Sequence, residues 1–325
     1  MKNSTLYIFN PENDMALANG KPGYIPPAQI QQMRRELWWL PQWWAEEDDI
    51  VWNGEERLNL SDDTKILPWG WSPALRHQLK QAGVQESLLP STEQLEHIRQ
   101  LSHRQTAVTL LKELREQVPL DGHFAGSSTL CHTTEEVEDA ISRYGEAILK
   151  SPWSSSGRGI VPSASLPPGG GGWVKRILRQ QGGVVVEQRL HKVADFALEF
   201  WLNSKGGVEY RGLSLFYTNE KGAYLGNWVA PEEQKFQWLA QYIPPQWLVE
   251  IRHWWEERLS HYQYSGPVGI DMMLAQEGVC PCIEVNWRMT MGLVSCLVAE
   301  QGRYGRLVVE YIYGHYSAEV EAFGG

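Results

Sequence analysis

The sequence predicts an α/β protein, and two patterns carry that prediction. Short apolar strands alternate with helical stretches up to about residue 95, and strands dominate after residue 190. The chain has 325 residues, 42% hydrophobic and 21% charged, enough for two or three domains with real cores. Residues 4–9 alternate as a first strand and lead into a loop, Asn10-Pro11-Glu12-Asn13-Asp14. Residues 27–44 have helical composition, and 50–52 and 65–69 read as further strands. Ser72 followed by Pro73 predicts a capped helix start.

A long helical pattern runs over 92–116, with a break near Ser102. Thr133 opens another helix that ends near Tyr144-Gly145. The strand Ala147-Ile148-Leu149-Lys150 then enters a Ser/Gly-rich loop, 151–159, and residues 160–161 return to a strand. A turn over 167–172 precedes a short helix, 173–181, and the strand 183–188. Strands follow at 195–202, 208–217 and 224–229, then a helix at 246–262. A hairpin over 268–288 and a last helical region over 293–313 complete the expectation.

The hairpin holds the most chemistry. A turn centred on Glu277-Gly278 sets Asp271 opposite Glu284 and Gly269 opposite Asn286. Side chains alternate along a strand, and directly opposed residues share a face. Two carboxylates and an amide oxygen thus meet on one face, with Arg288 continuing it. Hard oxygen ligands of this kind suit magnesium shared with substrate phosphates. The same alternation equally suits the solvent-facing half of an ordinary sheet, with Ile270, Met272, Ile283 and Val285 on the core side.

Composition excludes several classes. A net charge of −10 leaves no basic footprint for duplex nucleic acid. No apolar run approaches the roughly 18 residues that span a bilayer, and no signal peptide is evident, so a cytoplasmic protein is expected. Cys131, Cys280, Cys282 and Cys296 lack zinc-like spacing and read as reduced structural thiols. The 16 tryptophans include a cluster at Trp38, Trp39, Trp43 and Trp44, which reads as core or interface, with a substrate platform as the alternative.

The loop at 151–159 offers backbone N–H groups and serine hydroxyls to an anion. Lys150 can set an ammonium beside it. No Gly-Lys-Ser/Thr follows, so this is not a Walker-type phosphate loop. The order of parts is more specific than any one of them: Ala147-Ile148-Leu149-Lys150 with Ser154-Ser155-Ser156-Gly157-Arg158-Gly159, then Val184-Val185-Val186-Glu187-Gln188, then Asp271 with Glu284-Val285-Asn286-Trp287-Arg288. Over residues 95–295 this resembles the ATP-grasp superfamily of ATP-dependent ligases.

The resemblance implies a small N-terminal α/β domain at 1–95, a central grasp subdomain at 96–190, and a C-terminal one at 191–325 with an antiparallel sheet. It implies ATP and one or two magnesium ions as cofactors. Lys150 would contact the nucleotide phosphates under a lid formed by Ser154, Ser155, Ser156, Gly157, Arg158 and Gly159. Glu187, with the backbone of Gln188 and Arg189, would meet the adenine edge, and Asp195 the ribose. Asp271, Glu284 and Asn286 would hold the metal, and Arg288 would steady the transferring phosphoryl group. Where the family has a second phosphate lysine, this chain has Arg104, whose fork geometry differs from an ammonium. A further cation is expected from the C-terminal strands, with Arg211 as the candidate.

The implied activity joins a small-molecule or peptide carboxylate to an amine through an acyl phosphate, releasing ADP. A small-molecule kinase and a nucleotide-binding regulatory protein without turnover are the alternatives. No nucleic-acid or membrane partner is expected, and a homodimer is compatible with the chain. Asn10, Glu12, Asn13 and Asp14 follow the first strand, where α/β domains often place ligand loops. They equally make a capped turn.

Overall fold

The computed structural model describes residues 4–118, 123–154, 159–167, 171–219 and 223–322. Three sheets organise them. The first is parallel, in the order β2-β1-β3, from β1 (Thr5–Ile8), β2 (Ile50–Val51) and β3 (Lys65–Pro68). Helices α1 (Asn13–Asn19), α2 (Ala28–Leu37) and α3 (Pro73–Gln81) accompany it. Ser72 caps α3 as predicted, its Oγ accepting the Leu75 N–H at 3.3 Å. The expected loop over 10–14 is shorter than the sequence suggested, because α1 already begins at Asn13. The helix expected over 27–44 stops at Leu37 and gives way to a 3-10 turn, Leu40–Trp43. Pro41, which has no N–H to donate, sits in that turn.

Helices α4 (Thr92–Leu101) and α5 (Gln105–Gln117) realise the predicted break near Ser102. Ser91 and Gln94 form a reciprocal capping box at the start of α4. The second sheet is antiparallel, in the order β4-β7-β5-β6. It consists of β4 (Ser128–Cys131), β5 (Ala147–Lys150), β6 (Ile160–Pro162) and β7 (Val184–Gln188). Helices α6 (Thr134–Tyr144) and α7 (Gly171–Gln181) bury Val137, Ala140, Val174 and Ile177 against its apolar side. Strand β4 escaped the sequence reading: Ser-Thr-Leu-Cys is short and lacks apolar alternation.

The third sheet has seven antiparallel strands in the order β12-β11-β8-β9-β10-β13-β14. They are β8 (Lys192–Leu202), β9 (Val208–Thr218), β10 (Tyr224–Val229), β11 (Gly266–Ala275), β12 (Gly278–Asn286), β13 (Gly305–Ile312) and β14 (His315–Glu321). One face shares a core with α5, α8 (Glu232–Leu239) and α9 (Pro245–Ser260). A second core joins Val229 and Leu307 to α10 (Met291–Glu300) and to Phe9, Leu37 and Trp69 of the N-terminal part. Trp39, Trp43 and Trp44 pack against that second core, which is the interface reading of the tryptophan cluster. All four cysteines are buried and free.

Two expectations change here. The helix expected over 293–313 ends at Glu300, and residues 305–312 form β13. Gly302 and Gly305 interrupt the helix, and Arg-Leu-Val-Val-Glu-Tyr-Ile has the branched and aromatic make-up of a strand. The hairpin turn lies one residue earlier than expected, on Gln276-Glu277, with Ala275 opposite Gly278. A bulge between Asp271 and Met273 then restores the predicted register, so Asp271 faces Glu284 and Gly269 faces Asn286. Pro281 lies within the bulged stretch of β12, where a missing ladder donor is tolerated.

Candidate active site

Strand alternation sets the site. Gly269 and Asp271 on β11, Glu284 and Asn286 on β12, and Asp195 and Glu199 on β8 share one face of the large sheet. Asn286 donates its Nδ2 to Asp271 Oδ2 at 3.0 Å. Burial first, then the neighbouring Glu284 charge, raise the Asp271 carboxyl to about 7. Glu199 lies deeper and is 1% exposed. Its Oε2 accepts from Thr290 Oγ1 at 2.9 Å, while Oε1 has no partner among the described residues. Burial, then the Asp271 charge, push it up to about 8. A Cβ at Gly269 would come within 2.7 Å of Glu199 Oε2, so glycine is required for that carboxylate to fit.

Arg288 extends the cluster toward the N-terminal part. Its Nη2 donates to Asn286 Oδ1 at 2.9 Å. Its Nε reaches both oxygens of Asp14 at 2.9 Å, and Nη2 also lies 2.9 Å from Asp14 Oδ2. A continuous polar chain therefore runs Asp14, Arg288, Asn286, Asp271. It joins α1 to the hairpin.

Arg104 enters from the opposite side, at the N-terminus of α5. Its Nη2 pairs with Glu284 Oε1 at 2.9 Å, and its side chain is 3% exposed. Its Nη1 donates to Ser151 O at 2.7 Å and Ser154 Oγ at 2.6 Å. The backbone N–H of Arg104 also donates to Pro152 O at 3.1 Å. Ser151 N–H closes the base of the Ser/Gly loop on Gly159 O at 2.9 Å. Trp153 is fixed there too, with Arg99 4.2 Å above its ring and His103 edge-on at 4.4 Å.

Lys150 pairs with Glu187 at 2.5 Å across the central sheet. Glu187, Gln188, Leu190, Val108, Arg104 and Ile283 contribute to the wall of an open cavity between that sheet, α5 and β12.

The remaining candidates divide clearly. Asp195 is near the cluster, where Lys192 Nζ and Thr218 Oγ1 both donate to its Oδ2, at 2.7 and 2.6 Å. Arg211 is held elsewhere by Glu209 at 2.7 Å and Glu300 at 3.0 Å. It lies beside a bulge in β9 and does not reach the hairpin; Lys192 supplies the nearby cation instead. The N–H groups of Gln188 and Arg189 already donate to Ser127 O and Glu146 O, so those two donors are not free for a ligand. Asn10 and Asn13 point inward. Asn10 Nδ2 donates to Gly70 O at 2.9 Å, and the Asn13 amide, oriented for its surroundings, donates to Gly70 O and Trp71 O. Glu12 is buried against Arg34 at 2.7 Å, and that burial raises its pKa. Of the four N-terminal candidates, only Asp14 is brought to the hairpin. Ser155, Ser156, Gly157 and Arg158 lie outside the described residues.

No known family profile matches the chain, and no curated protein is similar to it in sequence. Solved structures are similar in fold. Phosphoribosylamine–glycine ligase from Thermotoga maritima superposes with a TM-score of 0.52 at 15% identity, over 95% of this chain and 81% of that one. Biotin carboxylase from Campylobacter jejuni, solved as a β,γ-ATP complex, gives 0.50 at 12% identity, over 92% and 71%. The chain has the ATP-grasp fold. Within that fold, the sequence reading missed Glu199 and Lys192. Glu199 was legible as a lone carboxylate in the apolar run Phe-Ala-Leu-Glu-Phe-Trp-Leu, and Lys192 as a Lys three residues before Asp195.

Proposed function

We propose that this protein is an ATP- and magnesium-dependent ligase that activates a carboxylate and joins it to an amine. One observation carries the reading. Asp271, Glu284 and Asn286 share one face of the large sheet and are bonded to Arg288 through Asn286 and to Arg104 through Glu284, and Arg104 borders the cavity at Glu187, which pairs with Lys150. The units that supply them, near residues 96–190 and 191–325, would enclose the reacting groups between them, with Asp14 of the unit near 1–95 holding Arg288.

The donor set fits a hard divalent cation. Asp271 carries a carboxyl pushed toward neutrality by burial and then by its neighbour Glu284, which is the situation an added positive charge relieves. Among the described residues, no third His, Cys, Asp or Glu completes such a group. Phosphate and water oxygens would therefore fill the rest of the shell, as magnesium prefers. Asp271, Glu284 and the Asn286 oxygen would hold the ion, which would neutralise charge on the phosphates.

The protein's own work in phosphoryl transfer is positioning and neutralisation. Lys150 and Arg104 would bind phosphate oxygens from the central unit. The adenine would sit in the cavity against Leu190 and Ile283, its edge meeting Glu187 and backbone groups other than the two engaged N–H donors. Asp195 would take the ribose. Arg288 would orient the attacking carboxylate, and Asp14 would govern when Arg288 is free to do so. The attacking carboxylate oxygen would form a bond to the γ-phosphorus as the bond to ADP breaks. An amine would then displace phosphate from the acyl phosphate.

The test is a screen of paired acids and amines for ADP release with magnesium present. ADP that appears only with both partners supports the ligase. ADP with a stable phosphorylated acceptor makes the protein a kinase, and nucleotide binding without turnover makes it a binder. Among the described residues no helix is long and apolar enough to cross a membrane, so the assay needs no lipid.

A further inference from the structure

The carboxylates of the cluster are not treated alike. Asp195 has Lys192, and Glu284 has Arg104, but among the described residues Asp271 receives only an amide N–H. Of these contacts, the Arg104 pair has the widest reach. One buried guanidinium joins Glu284 on the large sheet to Ser151 and Ser154 at the base of the Ser/Gly loop. Its Nε has no partner among the described residues.

We infer that Arg104 is a positioning residue that keeps Glu284 from a divalent cation until a phosphate group arrives. The inference rests on the proposed nucleotide site and names how its two ligands are coupled. In this structure the guanidinium is the counter-charge of Glu284. A cation arriving alone must break that pair and leave the guanidinium buried and uncompensated, which is costly. A phosphate beside Ser154 gives Arg104 a new bidentate partner within reach of its present position. Glu284 is then released to the metal. Cation and phosphate therefore bind cooperatively, with a coupling of the usual roughly 5–150-fold range. A lysine at this position has no planar fork with which to hold the loop base and Glu284 at once.

The experiment measures Mn2+ binding by electron paramagnetic resonance with no nucleotide present. Arg104→Gln should bind Mn2+ alone at least about fivefold more tightly than wild type, while its affinity for a non-hydrolysable ATP analogue falls. Arg104→Lys should shift Mn2+ affinity the same way by a smaller factor, and it serves if the glutamine variant does not fold. Arg211→Gln removes the same charge away from the hairpin and should leave Mn2+ binding unchanged. Unchanged or weaker Mn2+ binding in the folded Arg104 variants overturns the inference, as does an equal gain in Arg211→Gln. If wild type binds no ATP analogue, the proposed function fails, but the Mn2+ comparison still decides whether Arg104 guards Glu284.

Discussion

The hairpin over 266–286 and the segment after β1 both cluster polar side chains, yet the fold uses them differently. The hairpin presents Asp271, Glu284 and Asn286 on one face, as strand alternation requires. The segment after β1 turns Asn10, Glu12 and Asn13 inward, onto Gly70, Trp71 and Arg34, and sends Asp14, in the first turn of α1, across to Arg288. Strand geometry transmits direction from residue to residue. A loop has no such period, so polar residues in it reveal nothing about where they point.

The largest effect should come from breaking the hairpin. Glu284→Gln or Asp271→Asn is expected to lower magnesium-dependent ADP release by at least about 100-fold, more than loss of an outer-sphere partner typically does. Near-normal turnover would return the pair to an ordinary solvated sheet face. Beneath the hairpin, Glu199 should make stability depend on pH. Its folded pKa lies above the ordinary 4.5, at about 8, so the native state holds the proton over that window while the unfolded chain releases it. Stability should therefore fall as pH rises from about 4.5 to 8 and level off above. Urea midpoints across that range test this, and Glu199→Gln should flatten the slope; an unchanged slope would assign it to other groups.

The inward-facing loop should answer in stability instead. Asn10→Ala removes a buried donor from Gly70 O and is expected to cost about 1–3 kcal/mol, with nucleotide affinity unchanged in the folded protein. A selective loss of binding without destabilisation would make Asn10 a ligand residue after all. Lys150→Ala should weaken nucleotide binding by roughly tenfold, equal to about 1.4 kcal/mol, as read by calorimetry; unchanged affinity would leave Lys150 as only the partner of Glu187. The smallest change is expected for Asp14→Asn. It should alter the KM for the carboxylate by a few-fold while sparing nucleotide affinity, and the reverse pattern would place Asp14 with the nucleotide.

Much of this organisation was legible from the chain. Ser72, Pro73 and Thr133 marked helix starts because capping is chemistry within one turn. The opposition of Asp271 and Glu284 followed from alternation, even though the expected turn was one residue late and the Pro281 bulge compensated. Strand β4 and the strands after Gly305 were missed or misread, because short or mixed segments take their form from neighbouring strands.

The sequence by itself therefore determined which groups the hairpin carries and that they share a face, since a strand's period of two is local geometry. Only the tertiary structure decided which of those groups meet a cation. Arg104 lies 180 positions from Glu284, and Asp14 lies 274 from Arg288. No local rule relates such positions. Their pairing is set by how the three sheets pack, and that packing made Arg104 the guard of one carboxylate and left Asp271 without a counter-charge of its own.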